Sequence, residues 1–161
     1  MDDIAVAADI SRRTLFNYFP SKAALVWDGF EPFLAALDVE LADLDRSEPV
    51  GVALSQCVAR ALTAMGDLQL ARVRLQIIHA HPELRTAGSG GLFAVTDRLH
   101  AAILRSRQLR LSELDADVLA GAIAAMTSAA LQHWAVHSSD PTPTRTLRRA
   151  ARRLTSVWSR N

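Results

Sequence analysis

The chain has 161 residues, 50% hydrophobic and 22% charged, which is about one domain of globular composition and excludes disordered and fibrous classes. With 18 Lys plus Arg against 17 Asp plus Glu the net charge is +1, so no global field draws the chain to nucleic acid or membrane, and any such binding is local. The single Cys57 cannot make an internal disulfide and no secretory leader opens the sequence, so the expected compartment is the cytoplasm, with no cofactor and no metal.

Helical periodicity runs throughout, without sustained alternation of β-branched residues, so the predicted fold class is all-α. A short helix over residues 2 to 8 ends before Asp9-Ile10, and Ser11 caps a second helix from Arg12 to about Tyr18. Ser21 then caps a long helix with Val26, Phe30, Phe33, Leu37, Leu41 and Leu44 on one face, which Gly29 and Pro32 interrupt and which should kink or break near Pro32. The next helix starts near Ser47 and Pro49, carries Leu54, Cys57, Val58 and Ala61, and ends at Gly66. Asp67 caps a helix with Leu68, Ala71, Leu75 and Ile78 that stops at Pro82, and Gly88-Ser89-Gly90-Gly91 reads as a mobile loop. Val95, Leu99, Ala102 and Ile103 mark another helix. Ser112 with Asp115 is a capping-box-like start for a helix over 113–137, and Thr142-Pro143 begins the last, with Leu147, Ala150, Ala151, Leu154 and Trp158 inward and five Arg outside. That makes about eight helices and no internal repeat.

Val118 to Ser139 lacks formal charge over 22 residues, enough to span a bilayer, but seven Ala and several polar residues give it the apolar density of a buried helix. No membrane partner is expected. Charge is uneven along the chain: residues 1–50 sum to −6, 51–140 to +1 and 141–161 to +6. Within the acidic first third, Ile10 to Val26 carries only Arg12, Arg13 and Lys22.

Two short helices at a tight connection followed by a long one are the sequence form of a helix-turn-helix, whose second helix enters the major groove. Ile4, Ala8, Ile10 and Leu15 would pack the pair. Arg12, Arg13, Thr14 and Asn17 then face solvent with groups suited to base edges and phosphate, and Tyr18 and Lys22 follow at the helix end.

These residues carry a resemblance. Asp3-Ile4-Ala5 with Ile10-Ser11-Arg12-Arg13-Thr14-Leu15-Phe16-Asn17-Tyr18-Phe19-Pro20-Ser21-Lys22-Ala23-Ala24-Leu25 resembles the signature of the TetR family of transcriptional regulators. The resemblance implies a TetR-like all-α fold, a homodimer and double-stranded operator DNA as partner. It implies that Tyr18 and Lys22 hold the DNA backbone, Thr14 a phosphate, and that Ser11, Arg12, Arg13 and Asn17 read or approach bases. Arg13 stands where the family often has Gly, adding a base reader, and Phe16 where it often has Tyr, removing a hydroxyl. Arg13 to Trp27 also resembles an actinobacterial branch that includes mycofactocin-system regulators, whose ligands are acyl-CoA-like.

The family implies a helix ahead of the pair, and this sequence opens almost inside the second family helix. The expectation is a truncated chain, by a start misassigned at Met1 or by a truncation real in the cell, with residues 1–22 a partial head and 23–161 an effector-binding and dimerisation domain. Ile4, Leu15, Phe16 and Phe19 would lose part of their cover. Two functions follow: a dimeric repressor released from its operator by a small apolar or acyl-type effector, or a helical ligand-binding or interaction module that no longer binds DNA. The sequence carries no catalytic constellation, and an enzyme is not expected.

A ligand pocket would be lined by Phe33, Leu37, Leu62, Met65, Val95, Leu99, Met126 and Trp134, the alternative being a filled core. An acyl-CoA would add phosphate partners, with Arg72, Arg74, Arg98 and Arg105 as candidates. The stripe Gly121, Ala125, Ser128 and Gln132, with Leu147, Ala151, Leu154 and Trp158, would form a dimer interface; the alternative is packing within the chain. His79-x-His81 and His133-xxx-His137 lack the three or four ligands a zinc site wants.

Overall fold

The computed structural model describes residues 1–44, 47–64, 66–106 and 111–158, and the side chains there except those of 155, 157 and 158. Among these residues there are ten helices and no strand: α1 Asp2–Ala7, α2 Arg12–Tyr18, α3 Lys22–Val26, α4 Phe30–Ala42, α5 Val50–Ala64, α6 Leu68–Ala80, α7 Pro82–Ala87, α8 Ser89–Arg105, α9 Glu113–His137 and α10 Thr144–Trp158. The all-α expectation holds. Met65 and the side chain of Trp158, expected in the pocket and the dimer interface, lie outside the described residues.

The α1–α2 pair is closed by backbone chemistry. Asp9 takes a left-handed φ of 53°, which Asp tolerates better than most residues, and the amides of Asp9 and Ile10 donate to the carbonyls of Val6 and Ala5. This satisfies the last carbonyls of α1 and turns the chain in two residues. Ser11 opens α2 by accepting from the Thr14 amide at 3.0 Å. Ala5 and Leu15 are the buried contact between the helices, while Ala8 and Ile10 stay exposed, contrary to their expected role in packing the pair. Leu15 is covered within the chain, Ile4 and Phe19 are half-covered, and Phe16 is exposed under the Arg12 guanidinium.

The expected long helix is two helices. The break falls at Trp27–Gly29, with Gly29 in the left-handed region at φ 84° as the N-cap of α4. Pro32 therefore sits in the first turn of α4, where its missing N–H has no helical acceptor to lose. The Gly88–Gly91 segment, read as a mobile loop, instead caps and begins α8. Its glycines are a packing device. A Cβ on Gly88 would overlap the Trp27 indole, and one on Gly91 would come within 2.8 Å of the Phe30 ring. The short α7, opened by Pro82 at its first position, was also not expected as a separate helix.

The core is built around α9, which packs on α5, α6, α8 and α10. Leu37, Leu54, Leu99, Ile123 and Trp134 are fully buried at its centre. Ser112 and Asp115 make the expected capping box, the Ser112 amide donating to the Asp115 carboxylate and the Asp115 amide to Ser112 Oγ. By length and composition α9 could cross a membrane, but its Ala116, Ala120, Ile123 and Trp134 are core residues of this bundle.

Candidate functional site

The first candidate surface is α2. Arg12, Arg13, Thr14, Asn17 and Tyr18 are all exposed on it, and Lys22 is exposed at the first position of α3. Arg12 pairs with Asp2 at 3.1 Å and stands over Phe16 at 5.4 Å from the ring centroid. Both groups of that pair are well solvated, so it is weak and readily exchanged for another anion. Ser11 is engaged locally, capping α2 and sharing a 2.7 Å hydrogen bond with the Thr14 hydroxyl. Ser21 likewise caps α3 by accepting from the Ala24 amide at 3.0 Å. The polar side chains exposed on this face without a local partner are thus Arg13 and Asn17, flanked by Tyr18 and Lys22.

The second candidate is a cavity of about 310 Å³ between the α3–α4 junction, α6, α7–α8 and α9. Trp27, Phe30, Phe33, Leu75, Ile78 and Leu131 line it, and the same six line an adjoining space of about 130 Å³. Of the expected pocket residues, Phe33 and Val95 line the larger space and Leu62 the smaller. Leu37, Leu99 and Trp134 are instead packed solid in the core, because α4, α5, α8 and α9 meet closely there. Met126 lies on the other side of α9, in a groove against α10. Trp27, Phe30, Leu75 and Ile78 were missed as lining. Their signal was the pairing of large rings near residue 30 with glycines near residue 90, which only the fold brings together.

Trp27 joins this cavity to the end of α3. Its indole N–H donates to the Leu84 carbonyl at 2.9 Å, its ring meets Phe30 edge-on at 5.7 Å, and it immediately follows α3.

Three of the four arginines considered as phosphate partners are already engaged. Arg72 donates to the carbonyls of Trp134, Ser138 and Asp140 and stacks on the Trp134 ring at 4.5 Å, Arg74 pairs with Asp28, and Arg98 pairs with Asp38. Arg105 is exposed at the end of α8.

The residues expected at a dimer interface divide. Ser128 and Gln132 line the cavity, Leu147 and Ala151 are buried within the chain, Leu154 lines the α9–α10 groove, Ala125 is exposed and Gly121 has open space beside its Cα. Among the described residues no group of three or more His, Cys, Asp or Glu could hold a metal, and His133 and His137 stand as a ring pair 5.1 Å apart.

Residues 1–27 match the family model described as bacterial regulatory proteins, tetR family. Over 90 residues the chain is also 37% identical to a Mycobacterium tuberculosis (strain ATCC 25618 / H37Rv) protein whose assigned name is that of a mycofactocin biosynthesis transcriptional regulator. That match covers 53% of this chain and 43% of the relative, so it spans less than half of the relative's length. The matched segment contains α1, α2 and α3 entire and ends at Trp27, the residue that reaches the cavity.

Proposed function

We propose that the chain is a ligand-responsive, DNA-binding transcriptional repressor that works in the cytoplasm as a homodimer, with residues 1–22 as the reading head and 23–161 as the effector-binding and dimerisation domain. The observation that carries the reading is the exposed face of α2 within a tetR-family segment: Arg13 and Asn17 free for base edges, Tyr18 and Lys22 for phosphates. The dimer is supported by an apolar strip that α9 leaves exposed, Val118, Ala125, Ala129 and Val136. Two heads so paired would read half-sites about 34 Å apart.

Ligand response is supported by the position of Trp27 and Phe30, which belong at once to the cavity wall and to the root of the head. A small, largely apolar effector entering the cavity displaces these rings, and the left-handed joint at Gly29 lets α3 and the head turn relative to α4. The differential contact is with the two rings, so the effector favours whichever head position their displacement allows.

Selection from a pool of randomised duplex DNA tests this. Enrichment of an inverted repeat with half-sites one or more helical turns apart is the expected result. A pool that stays random through successive rounds would overturn the DNA-binding reading and leave the body as a ligand-binding helical module.

A further inference from the structure

We infer that the cavity takes a neutral, mostly apolar ligand carrying one carbonyl-type oxygen, and that the Thr127 hydroxyl is the group that recognises this oxygen. The inference rests on the cavity being the effector site. Thr127 is 3% exposed and lines the cavity, and its Oγ1 is buried without a hydrogen-bond partner. Three other helical threonines put this group to use. Thr63 donates to the Ala59 carbonyl, Thr86 to that of Pro82 and Thr96 to that of Leu92, each bonding back four residues. The same acceptor position is open to Thr127, and it is not used.

A buried hydroxyl with an unspent proton forfeits a hydrogen bond it would make in water, so its retention on a cavity wall calls for a partner inside the cavity. The unspent group that matters most is the donor, since under-satisfied acceptors are better tolerated than orphan donors. The partner is therefore an acceptor oxygen. Phe33, Val58, Ile78, Ala124 and Leu131 of the same lining are apolar, and its one charged residue, Arg85, is exposed to solvent, so an ionised carboxylate held at Thr127 would lose hydration for a single neutral donor. That argues for a ketone, ester or amide oxygen. The side chains of Ser128 and Gln132 continue the polar strip along α9 and widen the range of oxygens it can hold. At roughly 30 Å³ per small group, the space of about 310 Å³ suits a body of about ten non-hydrogen atoms.

The test uses acetophenone and isopropylbenzene, a ketone and a hydrocarbon of matched shape, titrated calorimetrically into the full chain and into Thr127→Val and Thr127→Ser. Valine keeps the shape and removes the hydroxyl. The expected result is that Thr127→Val binds acetophenone about tenfold more weakly while its affinity for isopropylbenzene is unchanged, and that Thr127→Ser retains ketone binding. The melting temperature of Thr127→Val should equal or exceed that of the parent, because an unpaired hydroxyl has been replaced by a methyl of the same shape. Equal weakening of both probes, or ketone binding untouched by Thr127→Val, would overturn the recognition role while leaving the cavity as a binding site. Failure of the parent chain to bind either probe would overturn the effector-site reading and this inference with it.

Discussion

Replacing Gly88 by Ala probes the seat of Trp27 directly. Gly88 has φ −95°, so the backbone accepts alanine, and the cost of the change is confined to the added methyl. That methyl would overlap three atoms of the Trp27 ring, Cζ2, Cε2 and Cη2. Rigid ring atoms cannot yield as a flexible chain end would, so the whole indole must rotate or translate. Overpacking of this kind costs about 1–3 kcal/mol. Moving the indole also breaks its 2.9 Å bond to the Leu84 carbonyl, a further loss of about 1 kcal/mol. The expected total is therefore about 2–4 kcal/mol, or on the order of 5–15 °C in melting temperature for a chain of this length. Gly90→Ala is the control, since a Cβ there meets nothing within 4 Å and alanine favours the helix. Urea unfolding followed by circular dichroism measures both variants. A Gly88→Ala protein as stable as Gly90→Ala would refute the account of why glycines open α8, and with it the link between cavity and head.

Other outcomes follow from the same contacts. Lys22→Ala should weaken duplex binding similarly across sequences and lower the slope of log affinity against log salt by about one unit, measured by fluorescence anisotropy. Arg72→Ala should destabilise the chain by about 2–4 kcal/mol, because one guanidinium holds three carbonyls around the end of α9 and stacks on Trp134. Arg72→Lys should rescue little of that loss, since an ammonium lacks the planar fork, and urea denaturation of the pair decides it. The hydroxyl and amide of Ser112 hold the Asp115 carboxyl below its ordinary range. A folded-state pKa below the unfolded one adds stability above the unfolded value that is lost as pH falls through the folded value. Acid unfolding below about pH 4 should therefore be less steep in Ser112→Ala. Burial pushes the Cys57 thiol above its usual range, against a smaller opposing pull from Arg60, so it should react with a disulfide reagent at neutral pH only as fast as the chain unfolds.

Local chemistry made part of this structure legible. Ser11, Asp67 and Ser112 cap the helices they were expected to cap, because a side-chain oxygen placed ahead of an apolar run has few other uses. The exposed face of α2 could be read for the same reason: in a seven-residue helix only Leu15 is buried, and the rest must face water or a partner. What could not be read depended on distant pairs. Gly29 and Pro32 both marked the interruption of the long helix, but the kink was assigned to Pro32, which is harmless in a first turn; the left-handed Gly29 makes the joint. Gly88 to Gly91 had the composition of a loop, and only the approach of Trp27 and Phe30 explains glycines at the start of a helix. The stripes of α9 misled in a similar way. Small residues suggest a close-packed partner helix, yet Ser128 and Gln132 line a cavity whose other walls come from five different helices.

The measurement closest to the central claim is a titration of the selected duplex and a scrambled duplex with the parent chain and with the Arg13→Ala, Asn17→Ala double variant. If α2 reads bases, the parent prefers the selected duplex, and the double variant loses that preference while still binding both duplexes through Tyr18 and Lys22. A double variant that keeps the parent's preference would contradict the account, because sequence would then be read by some other part of the molecule.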